Sequence, residues 1–242
     1  MRLTRVYVEQ PLVAGKSCVL EGSAANHIMR VLRLRDGDAL TLFDGRGGEY
    51  SARITGFRRD SVQAEVQEHR DVERESRLDL TLAQGISRGE RMDWVMQKAT
   101  ELGVARIVPV ITERTVVKLD ARQGERKVEH WRAIVIAACE QSGRNRVPDV
   151  AAPRAFHELL RKDEHAGRKL LLSPLGTLNA RDLTLAGAAT LLVGPEGGLS
   201  QDEQELAIGA GFEQVRMGPR VLRTETAAIA ALAILQHDFG DL

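Results

Sequence analysis

Two short stretches hold the residues best suited to chemistry. The first is Thr190-Leu-Leu-Val-Gly194-Pro195-Glu196-Gly197-Gly198-Leu199-Ser200, an apolar strand running directly into a glycine-rich turn. In α/β sheets ligands sit beyond the carboxyl ends of strands, and glycines let backbone N–H and C=O groups approach them without a Cβ in the way. Ser200 and Glu203 have the spacing of a capping box, so a helix should begin right after the loop. The second stretch is Met217-Gly218-Pro219-Arg220-Val221-Leu222-Arg223-Thr224-Glu225-Thr226-Ala227. It places Arg220, Arg223 and Glu225 at the entry to a helix, where the positive helix end and two guanidinium groups suit an anion or a polarised carbonyl. Each loop alone is also compatible with a plain strand–turn–helix connection, and Arg223 could simply pair with Glu225 or Glu196. Two such modules within 35 or so residues are harder to assign to chance turns.

The elements that must hold these loops follow from periodicity. Leu78, Leu80 and Leu82 alternate as a strand, and Ile107–Ile111 forms another. Leu170–Leu172 and Leu191–Val193 are short and wholly apolar, as in strands buried on both faces of a parallel sheet. Glu90–Leu102 is a predicted helix with Met92, Val95, Met96, Ala99 and Leu102 on one face, and Gly103 stands where a C-cap glycine belongs. Lys127–Ser142 and Glu225–His237 are two further helices. Strands alternating with helices argue an α/β domain. The first 70 or so residues differ. Val6 and Val8, Ala39–Phe43, Glu49–Phe57 and Val62–Val66 are short strands punctuated by Asp-Gly turns, with a short helix over 24–34, the pattern of a small barrel or curled sheet. The charged run over 68–77 marks the boundary, giving domains over 1–72 and 73–242.

Composition bounds the function. The 242 residues carry 34 Lys+Arg against 34 Asp+Glu, which excludes a uniformly basic coat. Local balance differs: residues 26–59 hold seven arginines against four acids, and 84–146 hold 12 basic against eight acidic residues. Such segments suit phosphate contacts, although a solvated helix face accounts equally well for the counts. With two cysteines, Cys18 and Cys139, and no CxxC, neither a disulfide scaffold nor a Cys-rich zinc site is expected. The six histidines lack metal-ligand spacing. No 18-residue apolar run or signal core is present, so the expectation is a soluble cytoplasmic protein with no membrane partner and no metal.

Six stretches together resemble one family: His27–Arg33, Leu42–Gly45, Arg91–Gly103, Glu140–Arg144, Leu192–Gly198 and Gly218–Ala227. In order and extent the chain is similar to the RsmE family of bacterial 16S ribosomal RNA methyltransferases, within the SPOUT class. The resemblance implies an N-terminal PUA-like β-barrel followed by a SPOUT α/β domain with a C-terminal trefoil knot, assembled as a homodimer. It implies S-adenosylmethionine-dependent methylation of N3 of a specific uridine in 16S rRNA, within the assembled small subunit. Methylation of another RNA such as tRNA, or RNA binding without catalysis, are the alternatives. By the same resemblance the cofactor cradle comprises Leu172, Gly194, Pro195, Glu196, Gly197, Gly198, Met217, Gly218, Leu222 and Ala227. Arg223 is the expected anion stabiliser, oriented by Glu225 or Glu196, and no side chain stands out as the base. Expected RNA contacts are Arg2, Arg5, Arg30, Arg33, Arg88, Arg91 and Arg144.

Overall fold

The computed structural model describes residues 4–116, 120–161 and 167–242. Its contacts divide into two units, one formed by residues through Glu75 together with Cys139–Val147, the other by Ser76–Ala138 and Pro148–Leu242.

In the N-terminal unit, β1 (Arg5–Tyr7), β2 (Ser17–Leu20), β3 (Ala39–Phe43), β4 (Glu49–Phe57) and β5 (Val62–Arg70) form one sheet in the order β1-β3-β4-β5-β2. Only the β1–β3 pair is parallel. Alternation puts Ala52, Ile54, Val62, Ala64 and Val66 inside, packed with Val6, Leu20, Leu40 and Leu42. Two bulges in the β4–β5 ladder, at Ser51/Ala52 and Ile54/Gly56, bend the sheet around that core. The charged run after residue 67 is in part the exposed end of β5, which continues to Arg70. Helix α1 (Gly22–Asn26) opens into a wider π-helical turn over His27–Leu32, closed by Arg33 in the left-handed conformation (φ 51°).

Residues 139–147 are tied into this unit by a polar network. Arg5 Nη2 donates to Asn145 Oδ1 (2.6 Å) and to the Arg144 carbonyl (3.0 Å). Asn145 Nδ2 donates to the Val72 carbonyl (2.6 Å), and the Tyr7 N–H donates to Glu140 (3.0 Å). Arg144, 4% exposed, forks onto Glu75, and Glu49 pairs with both Arg5 and Arg74. Burial raises the Glu49 carboxyl, but the two arginines outweigh it and hold it below its ordinary value. That ion pairing therefore stabilises the fold at neutral pH and is lost as pH falls through the lowered value. Removing one partner of a buried pair costs more than the pair contributes, so Glu75→Ala should destabilise by about 3 kcal/mol in urea unfolding. A loss below about 1 kcal/mol would contradict the burial of the Arg144 charge.

The second unit is an all-parallel sheet. Strands β6 (Asp79–Gly85), β7 (Arg106–Ile111), β8 (Asp149–Val150), β10 (Arg168–Leu172), β11 (Leu178–Asn179), β12 (Ala188–Val193) and β13 (Glu213–Arg216) lie in the order β11-β13-β10-β12-β6-β7-β8, with β9 (Arg154–Ala155) also on β7. Helices α2 (Glu90–Glu101), α3 (Ala121–Ser142), α4 (Phe156–Arg161), α5 (Gln201–Gly209) and α6 (Thr224–Phe239) connect them. The central strands are apolar because both faces are covered: Leu80, Leu82, Leu191 and Leu192 are at most 1% exposed. At roughly 1.5–3 kcal/mol per buried side chain, these residues anchor the sheet whose ends carry the loops. Helix α2 stops as its sequence predicts: Gly103 (φ 79°) bonds back to Thr100, and the Val104 N–H reaches the Ala99 carbonyl. Helix α6 packs on α2. Among the described residues no helix is long and apolar enough to cross a membrane.

Candidate active site

Strands β10, β12 and β13 end side by side, and the loops leaving them enclose a cavity of about 530 Å³. That volume falls within the range of small-molecule sites. The first wall is the loop after β12. Pro195 to Gly198 form a tight turn, with the Gly198 N–H on the Pro195 carbonyl (2.9 Å) and Gly198 at φ 69°. Ser200 then caps α5 in a complete capping box with Glu203. Glu203 is also fixed from outside, accepting the Glu113 N–H at 2.8 Å.

The second wall is the loop after β13, and its return is built on a buried relay. Thr224 Oγ1 donates to the Gly194 carbonyl (2.6 Å) and accepts from Gln84 Nε2 (2.9 Å). Gln84 is fully buried at the end of β6 and also donates to the Gly85 carbonyl (3.0 Å). One side chain from β6 thus sets the first residue of α6 against the end of β12. Position 84 carried no signal in the sequence: a lone Gln in an apolar strand would be the only clue, as a buried amide must find partners. Gly85 was equally silent. A Cβ there would stand 2.4 Å from the Pro195 nitrogen and 2.8 Å from the Gly194 carbonyl carbon.

All ten expected cradle residues, Leu172, Gly194, Pro195, Glu196, Gly197, Gly198, Met217, Gly218, Leu222 and Ala227, line this one cavity, as do Arg223 and Glu225. The expected orientation of Arg223 needs correction. Among the described residues no hydrogen bond or ion pair joins it to Glu225 or Glu196. Glu196 Oε1 instead accepts from Arg91 Nη1 (3.0 Å) and from the Arg88 N–H (2.9 Å). Burial raises its carboxyl, yet these donors and the Arg91 charge hold it below the ordinary value. Glu225 is bonded to neither arginine, and its Oε2 is shut off from solvent without a donor. Steric demand in the first loop also sits elsewhere than its Gly-Gly pair implies. An added Cβ at Gly197 meets only the stem of Arg114 (3.2 Å), whereas one at Gly194 runs into the backbone nitrogen of Leu199 (2.9 Å).

Two of the expected RNA contacts are corrected. Arg5 and Arg144 are spent on the buried network of the N-terminal unit, so neither guanidinium is presented to a phosphate. Arg30, Arg33 and Arg88 are exposed, and Arg91 is exposed but committed in part to Glu196. Arg2 lies outside the described residues.

Two family models match this chain, an RNA methyltransferase domain over residues 74–236 and an RNA methyltransferase PUA domain over residues 20–67. The ribosomal RNA small subunit methyltransferase E of Buchnera aphidicola subsp. Schizaphis graminum is 33% identical over 100% of this chain and 98% of that protein. The chain belongs to the ribosomal RNA small subunit methyltransferase E family. The Bacillus subtilis member is 31% identical, covering 97% of this chain and 96% of its own. Two solved structures align along almost the whole methyltransferase. A Legionella pneumophila methyltransferase in complex with bound SAM has 42% identity, a TM-score of 0.97 and 100% coverage of both chains. The family member from Neisseria gonorrhoeae, bound to S-adenosyl methionine, has 41% identity, a TM-score of 0.95 and 99% coverage of both. The fold is accordingly a PUA-like domain with a SPOUT methyltransferase domain.

Proposed function

We propose that this chain methylates N3 of a uridine in 16S rRNA, using S-adenosylmethionine bound in the cavity at the ends of β10, β12 and β13. The observation that carries the reading is the convergence of both loops, with the ten cradle residues, on that cavity. The site fits the group. Backbone at Gly194, Gly197, Gly198 and Gly218 on the cavity wall suits the edge of a purine, and Leu172 and Leu222 give an apolar wall. When bound, the cofactor supplies an activated methyl group on a sulfonium. That the Arg223 guanidinium lines the cavity with no hydrogen bond or ion pair among the described residues supports its taking the negative charge that develops on a uracil carbonyl as N3 loses its proton.

The finer assignments belong to the same reading. The chain leaves β12, passes beyond β10 to β13, and returns at Thr224 to the end of β12, which supports a trefoil knot around the cofactor loops. Exposed Leu175 and Val221 at the cavity rim support a homodimer. The assembled small subunit is the expected substrate, in the cytoplasm. Arg30, Arg33 and Arg88 are the phosphate contacts this reading retains. Removing either Arg30 or Arg33 should reduce the slope of log affinity against log salt by about 1 while weakening all RNAs alike. An unchanged slope would remove that arginine from the interface.

The test is methyl transfer from labelled S-adenosylmethionine to assembled small subunits lacking the modification, to stripped 16S rRNA and to bulk tRNA. Nucleoside mass spectrometry identifies the product. The expected result is 3-methyluridine on the small subunit. Label confined to tRNA would overturn the substrate, and another methylated nucleoside would overturn the atom.

A further inference from the structure

The titratable side chains around the cavity are Arg91, Glu196, Arg220, Arg223 and Glu225. Methylation at N3 needs an acceptor for the N3 proton, and only the two carboxylates can serve. Glu196 is occupied, with Arg91 and the Arg88 N–H on the same oxygen. An acceptor already holding two donors, one of them a guanidinium, is a poor base. Glu225 differs on every count. No donor from the protein reaches either of its oxygens among the described residues; Oε2 has no accessible surface, which leaves Oε1 as the oxygen open to a ligand. A sheltered carboxylate oxygen without a hydrogen bond is expensive, and such groups in native folds call for a ligand or a catalytic role. Its place is also specific. Arg223 is the N-cap of α6 and Glu225 lies in its first turn, both on the cavity wall. In uracil the N3–H lies between two carbonyls, so a carboxylate flanked by a guanidinium is the complementary pattern of acceptor and donor.

We infer that Glu225 is the general base, its carboxylate accepting the N3 proton while Arg223 takes the charge on the neighbouring carbonyl. This rests on the uracil-N3 reading above. In the step, the N3–H bond breaks and its proton passes to Glu225 Oε1. The N3 electron pair forms the bond to the methyl carbon. The carbon–sulfur bond breaks, and its electrons return to sulfur as a neutral thioether. Glu225 later gives the proton to water. The other residues in the first turn of α6, Thr224 and Thr226, are uncharged, so at this end of the helix Arg223 is the cation beside the base.

The experiment compares wild type with Glu225→Gln and Glu225→Asp on two substrates. One is small subunits with unmethylated rRNA. The other is the same subunits rebuilt with 5-fluorouridine in place of uridine, whose N3–H is more acidic. Single-turnover rates are read as a function of pH, with S-adenosylmethionine affinity by calorimetry and melting temperature alongside. The glutamine variant should fall about 10²–10⁴-fold on uridine at neutral pH, recover at least about tenfold on the fluorinated substrate, and keep gaining rate at alkaline pH where wild type is flat. The aspartate variant should keep the wild-type pH profile. Cofactor affinity should be unchanged in both. Equal slowing on the two substrates with a parallel pH profile would make Glu225 structural. Loss of cofactor binding would make it a cofactor contact, and either result overturns the base. A wild-type enzyme that makes no 3-methyluridine on either substrate overturns the uracil-N3 reading, and the base with it.

Discussion

Alanine at Gly85 is expected to abolish cofactor binding at ordinary concentrations. The added Cβ would stand 2.4 Å from the Pro195 nitrogen, 2.6 Å from its Cδ and 2.8 Å from the Gly194 carbonyl carbon. Two of these three atoms are backbone, so no rotamer change relieves the contact. Gly85 ends β6, held in the sheet by its ladder to β7, so the loop after β12 must move instead. That loop carries Gly194 to Gly198 and the carbonyl on which Thr224 rests at 2.6 Å. Overpacking of this kind costs about 1–3 kcal/mol of stability. A one-ångström displacement of the cradle costs the ligand far more, on the order of 100-fold in affinity or rate. Calorimetric titration with S-adenosylmethionine reads the loss and a thermal melt shows the protein still folded. Gly209→Ala is the control, since Gly209, the last residue of α5, does not line the cavity, its Cβ would meet nothing within 4 Å, and affinity should stay within a few-fold. Equal affinities for the two variants would show that the wall bends where its backbone contacts say it cannot.

The second large effect is at Arg223. Arg223→Ala should lower kcat by about 10²–10³ with little change in cofactor affinity. Its backbone carbonyl accepts the Ala227 N–H (2.8 Å) and so begins α6, a bond that alanine keeps. The lost guanidinium takes part in no hydrogen bond or ion pair among the described residues, so the fold should hold its melting temperature. Lysine at this position should restore part of the rate, as a point charge without the planar fork. A variant whose only defect is a weaker cofactor Kd would move Arg223 from the reaction to the cradle.

How far these features were legible depends on the range of the interactions. Periodicity over a few residues is a local property, so β3 over Ala39–Phe43 and β4 over Glu49–Phe57 emerge with their observed limits, and α2 to within one residue. The Ser200–Glu203 box is local too. Strands of two to four residues, β2, β8, β9 and β11, have no room for a pattern and were invisible. So was α4, at six residues. The loops of the candidate site were readable because their residue types are unusual, but partners were not. Glu196 lies 105 residues from Arg91 in the chain and 27 from Arg223, yet it chose the former. Arg5 and Arg144 illustrate the same limit. A basic residue in a basic segment resembles a phosphate contact until an acid from elsewhere, here Glu49 or Glu75, occupies it.

The return of residues 139–147 has a consequence for heredity. The N-terminal unit draws Asn145 and Arg144 from the far side of the chain to satisfy Arg5, Val72 and Glu75. A gene segment ending at residue 75 would encode a sheet with its polar keystone missing, leaving Arg5, the Val72 carbonyl and Glu75 short of partners in a half-buried seam. Recombination that moved this RNA-binding unit into another protein would therefore have to carry two separated pieces at once. The unit is modular in shape but not in inheritance, and it should travel through evolution only together with the helix that supplies its missing piece.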